Sequence, residues 1–203
     1  MKHTLKIALS TSLVAVLFTG PTYAQTTTAS VNATVTVTSV INITATDLDF
    51  GTLVVVQDGT NAPSATLNPD GSFDVTTPTG TENLIQLGTA APSTVGLDVG
   101  AAVSANLQVT FPASTTLAHQ TTAATFTVDA LQIGALTTGT FGGSTASQAA
   151  CNTAISGGNP CQFQTAADGS LGFPLGATIT VGDVAANYDG VYAGTFDLVA
   201  QYY

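Results

Sequence analysis

Beyond residue 6 the chain contains no lysine and no arginine. Its two basic residues are Lys2 and Lys6, against twelve acidic ones that all lie further along. Without cations to neutralise phosphates, nucleic acid is not expected as a partner, and anionic membrane surfaces are disfavoured for the same reason. Ion pairs with Lys or Arg are also ruled out beyond residue 6, so the fold must rest on apolar burial, backbone ladders and Thr/Asn hydrogen bonds. Tryptophan is absent too. Together with the missing Arg and Lys, that argues against a sugar-cleaving cleft built on paired carboxylates. The only histidines are His3 and His119. A hydrolytic triad needs a histidine oriented by a carboxylate beside a nucleophile, and no G-x-S-x-G motif is present. His119, beside Gln120 in a Thr/Ala-rich stretch, reads as an exposed loop histidine. No catalytic residue, cofactor or metal is expected, and the chain does not read as an enzyme.

Long apolar runs are missing as well, except at the start. Lys2, His3 and Lys6 precede an apolar run from Ile7 to Phe18, and Thr22-Tyr23-Ala24 offers small residues for cleavage. Residues 1–24 are therefore expected to be a secretory signal peptide. No later run is long enough to span a bilayer as a helix, so no membrane insertion is expected. Export places the product in an oxidising setting. There Cys151 and Cys161, the only cysteines, most simply form a disulfide. With no CxxC and no nearby His, metal or redox roles are poor alternatives. The pair lies in and at the end of a Gly/Ser/Thr-rich stretch at about 137–160, which is expected to be a long surface excursion.

What the chain has in quantity is alternation. From Ser30 to Thr46 one face reads Val31, Ala33, Val35, Val37, Ser39, Ile41, Ile43, Ala45, and the other is mostly Thr and Asn. Period-two alternation of β-branched residues predicts a half-buried strand. At roughly 3.3 Å per residue the run spans about 50 Å, longer than the about 40 Å diameter of a domain this size. It is therefore expected to divide near Ser39-Val40. Residues 25–38 form an N-terminal extension, and 39–203 a single domain.

Further strands are expected at Leu53–Val56, Ala65–Leu67, Ser72–Thr76, Glu82–Leu87, Ser93–Val99 and Ala105–Phe111. Others follow at Thr125–Ile133, Gly169–Pro174, Ala177–Val181 and Val191–Tyr203. The run Val54-Val55-Val56 reads as buried. Thr125–Ile133 has an imperfect phase, with Phe126, Val128, Ala130 and Ile133 inward, which points to a bulge. Asn68-Pro69-Asp70-Gly71 reads as a hairpin turn. Its alternating oxygens, Asn68, Asp70, Ser72 and Asp74, resemble part of a calcium loop but lack the remainder. No window shows helical periodicity. Short alternating runs between turn residues predict an all-β, antiparallel sandwich.

The opening alternation into Ile41-x-Ile43, followed by Leu48-Asp49-Phe50-Gly51-Thr52, resembles the start of the DUF4402 family of secreted bacterial proteins. Val109-Thr110-Phe111-Pro112, Gly176–Val181 and Tyr188–Phe196, ending at Tyr202-Tyr203, resemble the rest of it. That family is similar in pattern to the pilins assembled by a periplasmic chaperone and an outer-membrane usher. The resemblance implies an immunoglobulin-like, pilin-like β-sandwich completed by a donated N-terminal strand. It implies Val31, Ala33, Val35 and Val37 as donor-strand knobs. Phe196, Leu198, Ala200 and Tyr202 would line the acceptor and chaperone-contacting strand. The late, close cysteines depart from the usual pilin pattern.

The physical case stands beside the resemblance. An unpaired sheet edge invites another chain unless Lys, Pro or bulges blunt it, and here no Lys is available. A strand added in trans gains main-chain bonds and pocketed side chains. The alternative is that Val31–Val37 completes its own sandwich. The expected function is thus a structural subunit of an extracellular fimbria or filament, a homopolymer exported through the periplasm. The alternative is a monomeric secreted or surface adhesin binding through the 137–160 excursion.

Overall fold

The structure, a computed structural model, describes residues 40–56, 62–76, 83–100, 104–182 and 189–203. They fall in one compact unit. The expected signal peptide at 1–24 and the donor residues Val31, Ala33, Val35 and Val37 lie outside the described residues.

In chain order the strands begin with β1 (Asn42–Ala45), β2 (Leu53–Val56), β3 (Ser64–Leu67), β4 (Phe73–Thr76), β5 (Asn83–Gln86), β6 (Ser93–Asp98) and β7 (Asn106–Thr110). They continue with β8 (Ser114–His119), β9 (Thr125–Ile133), β10 (Thr140–Phe141), β11 (Cys161–Gln164), β12 (Ser170–Val181), β13 (Tyr192–Ala193) and β14 (Val199–Tyr202). Every pairing among these strands is antiparallel. The described residues are all-β with one short α-helix, and their layers are consistent with a sandwich.

The largest sheet is organised on β12, twelve residues long and buried along most of its length. The expected strands Gly169–Pro174 and Ala177–Val181 are parts of this single one. One edge of β12 pairs with β6 over Ser170–Leu175, then with β3 over Ala177–Thr180. Gly176 marks the changeover, because a Cβ there would run into the Leu67 carbonyl oxygen. The other edge carries β9, then β8 and β13. Proline is normally kept out of a central strand because it cannot donate to the ladder. Pro174 is tolerated because β9 has ended beside it, and its carbonyl accepts from Gly134 N at 2.9 Å.

The imperfect phase of β9 is a bulge: Ala130 and Leu131 together oppose Ala177. Leu131 and Ile133 stay buried. Ala130, with φ 45°, is turned outward, not inward as the alternation predicts. The extra residue shifts the phase by one, which moves every later side chain to the other face.

A second sheet, ordered β10-β11-β7-β14, packs on the first. Phe163 of β11 stacks on Phe173 of β12 with ring centroids 5.4 Å apart and planes 5° from parallel. Leu107 and Val109 of β7 join the same core. A two-stranded ribbon, β2-β5, completes the fold. Val54 and Val56 on it are exposed, so the run Val54–Val56 is not the buried strand expected. Only the face of β2 that carries Leu53 and Val55 packs on the core.

The 137–160 excursion is more ordered than composition predicts. It holds β10 and a 3-10 turn at Gly143–Thr145, followed by the helix α1 (Gln148–Ser156). Ser147 caps that helix, its hydroxyl accepting from Ala150 N at 3.2 Å. Such a cap satisfies one of the free N–H groups of the first turn. Cys151 and Ile155, one turn apart, are buried, and Cys151 is disulfide-bonded to Cys161 with a Cα–Cα distance of 5.1 Å. The pairing expected from the sequence is present.

Candidate functional site

The largest sheet curls, and its two end strands, β1 and β13, border one long groove of about 900 Å³. One wall is residues 43–55, the other residues 190–198. The floor is the concave face of the sheet: Leu117 of β8, Phe126 and Val128 of β9, and Leu175 and Ile179 of β12. The groove is thus the open seam of a curled sheet. Closing such a seam is what removes edges from a barrel.

Both walls are places where the chain leaves one sheet for another. The first wall runs from β1, paired with β6, to β2 in the ribbon. Its middle is tied outward: Thr46 N donates to Thr94 O at 3.1 Å, and Asp49 and Ala91 exchange backbone bonds of 3.0 and 2.7 Å. The second wall runs from β13, paired with β8, to β14, paired with β7. The single C-terminal strand expected at Val191–Tyr203 is therefore two strands in different sheets. Between them, Gly194 to Leu198 make no backbone–backbone hydrogen bond to any described residue. Thr115 Oγ1 donates to the Thr195 carbonyl at 2.9 Å. The side chains of Leu48, Leu53, Val55, Phe196 and Leu198 are half-buried along the two walls. A row of backbone groups outside any ladder, over an apolar floor, is the local chemistry of a site for an extended strand.

Five successive antiparallel pairings separate β1 from β13, so the two end strands point in opposite directions. One strand laid in the seam is therefore antiparallel to one wall and parallel to the other.

Of the residues named from the sequence, Phe196 and Leu198 line the groove. Ala200 is half-buried on β14 against the core, paired with Val109 of β7, outside the groove lining. Tyr202 is exposed on β14, opposite Leu107. Ile43 and Ala45, placed on the inward face of the opening run, line the groove and are exposed.

His119 is not the exposed loop histidine expected: it ends β8 and is half-buried. Its Nδ1 accepts from Thr121 N at 3.1 Å and Thr122 N at 2.9 Å, while Nε2 lies 2.9 Å from the Asp189 carbonyl. Two N–H donors at Nδ1 leave the ring proton on Nε2, which donates to Asp189. The ring also meets Tyr192 edge-on, at 5.0 Å between centroids. Next to Asp189, Gly190 adopts φ +140°, and a Cβ there would strike His119 Nε2. His119 therefore clamps the start of the second wall to the end of β8. Only the isolated Asp189-Gly190 pair hinted at a turn there.

Asn68-Pro69-Asp70-Gly71 is the expected hairpin turn between β3 and β4. Asn68 Nδ2 donates to Ser72 Oγ at 3.0 Å and to Asp74 Oδ2 at 2.7 Å, so its nitrogen, not an oxygen, faces these groups. Hydrogen bonds from the Ser72 hydroxyl and N–H to Asp70 hold that carboxyl below the usual carboxylate range, and Ser170 does the same for Asp168. Among the described residues no three of His, Cys, Asp and Glu gather as metal ligands would.

No curated protein and no solved structure matches the chain. Residues 41–202 match the family described as a Domain of unknown function (DUF4402), and that range takes in every strand from β1 to β14. The chain belongs to the DUF4402 family.

Proposed function

We propose that the protein is a structural subunit of an extracellular filament, joined by strand donation: the seam of one copy receives Val31–Val37 of the next. The observation that carries this is the groove with an apolar floor whose second wall, Gly194–Leu198, has no ladder partner among the described residues. The donor's dimensions suit it. Six steps from Val31 to Val37 cover about 20 Å, within reach of the nine-residue wall 190–198. Three buried valines at roughly 1.5–3 kcal/mol each, with backbone bonds of about 1 kcal/mol net apiece, make a durable joint.

Donation in trans is favoured over self-completion by the sequence before β1. A strand folded back beside β1 needs a tight reversal at Thr38-Ser39-Val40, which holds none of the Gly, Asn or Asp residues that such turns use. Export through the periplasm belongs to the same proposal. So does a chaperone that covers the seam, and an outer-membrane usher that exchanges the cover for a subunit.

Val35→Asp in the full chain tests the reading. The variant should fold and stay monomeric, while its empty seam still binds a Val31–Thr38 peptide. The parent chain should form long, SDS-resistant ladders without boiling. A parent chain that stays monomeric at high concentration and a V35D chain that ignores the peptide would sink the proposal.

A further inference from the structure

The seam is not the only place where the large sheet lacks a neighbouring strand. β8 pairs with β9 over Thr125–Asp129 and stops at the bulge. From there to Ile133 the outer edge of β9 has no strand beside it among the described residues. At the end of that stretch Gly134 N donates to Pro174 O, so the ladder to β12 uses the residue after Ile133. The N–H and C=O of Ile133 point the other way, outward, as they do in a non-hydrogen-bonded antiparallel pair.

Side chains of α1 occupy those two groups. Asn152 Oδ1 accepts from Ile133 N at 2.9 Å, and Asn152 Nδ2 donates to Ile133 O at 3.2 Å. The carboxamide thus makes both bonds that the N–H and C=O of one residue in a next antiparallel strand would make. Gln148 Nε2 adds a third bond, to the same carbonyl, at 3.1 Å. The helix that carries both residues is anchored by the fully buried Cys151–Cys161 disulfide and by Ile155.

We infer that α1 is an edge guard: it mimics a strand at the end of β9 and denies that edge to the extended segment of a second copy. The occupant excluded is specific. A chain rich in alternating Val and Thr, with no lysine beyond residue 6 to blunt an edge, offers just the kind of strand that adds to open ladders. The guard channels strand addition to the seam and leaves the β9 edge closed. It accounts for a helix inside an otherwise all-β chain and for a disulfide that staples only ten positions of sequence.

The test uses the full, oxidised chain carrying Asn152→Leu, which keeps the bulk and removes the amide. It is combined with Val35→Asp so that the seam reaction is switched off. Hydrogen exchange at the Ile133 amide should quicken at least roughly tenfold while amides in β6 and β12 keep their protection, the mark of local opening. The double variant should then form thioflavin-positive aggregates that the V35D single variant does not. Gln148→Ala, at an exposed position and with one bond lost, should move both readouts in the same direction by less, and it serves where Asn152→Leu fails to fold. A variant with a rapidly exchanging Ile133 amide that remains monomeric overturns the inference. So does aggregation that requires Val35, since it would run through the seam. Failure of the filament proposal itself shows as a monomeric parent chain and leaves these outcomes readable.

Discussion

Replacing His119 with alanine should loosen the second wall of the seam while leaving the sandwich folded. The wall enters through β13, whose ladder with β8 is two residues long. Beside that ladder, His119 supplies bonds to Thr121 N, Thr122 N and the Asp189 carbonyl, and an edge contact with Tyr192. Each hydrogen bond contributes about 0.5–1.5 kcal/mol net, and the ring pair about 0.5–1.5 kcal/mol. The site is only half-buried, so water replaces part of what is lost and the lower ends apply. The bonds from Thr121 and Thr122 are local to the end of β8, so only the Asp189 bond and the Tyr192 contact hold the wall. Together they come to about 1 kcal/mol, or roughly 5-fold in the population of the open wall. Hydrogen exchange at Ala193, whose N–H faces β8, should accelerate by that factor, with the amides of β12 unchanged. Affinity for a Val31–Thr38 peptide should fall by a similar factor. Gly190→Ala should reproduce the effect from the other side, because its Cβ would push against Nε2 of His119. Unchanged exchange at Ala193 in both variants would refute the clamp and leave the two-residue ladder as sufficient.

Three further outcomes follow from the core and the turns. Phe163→Ala removes a ring that stacks on Phe173 and is fully buried between the sheets, and chemical denaturation should register a loss of about 3–5 kcal/mol. Cys151→Ser with Cys161→Ser should cost about 2–3 kcal/mol by the loop-entropy estimate, read as a lower melting temperature together with lost helical circular dichroism. The carboxyls of Asp70 and Asp168 are held low by Ser72 and Ser170, so their contribution is present above the unfolded value of about 3.9. It disappears as pH falls through the folded value. Asp168→Asn should therefore flatten the acid limb of the stability–pH curve below about pH 4 and leave neutral stability less affected by pH.

The strands that alternate cleanly were legible as strands. Ser93, Val95, Leu97 and Val99 are buried on one face, as are Leu107, Val109 and Phe111, because side-chain alternation is a local property of an extended chain. The Asn68–Gly71 turn and the Cys151–Cys161 bridge were legible for the same reason: their partners are close in sequence. Helix α1 was not. Apart from Ile155 its apolar residues are small, and its buried face is two residues wide, so no amphipathic stripe announces it. Only Ser147 before it and Gly157 after it could have marked its ends. The clamp role of His119 was equally hidden, since Asp189 lies seventy positions away.

By itself the sequence determined that this chain builds antiparallel β-structure from apolar burial and Thr/Asn polarity. It also determined that the two cysteines close a local loop, and that no positive charge beyond residue 6 blunts an edge. The C-terminal alternation, Tyr192 to Tyr202, looks like one strand because its pattern never breaks. Only the tertiary structure decided that it is two strands in two sheets, with Gly194–Leu198 stretched between them as the wall of a seam. Alternation says which side of a strand meets the core. It does not say which strand lies alongside. That choice depends on twist and on how far a curled sheet falls short of closing, and both are set by the whole set of strands at once.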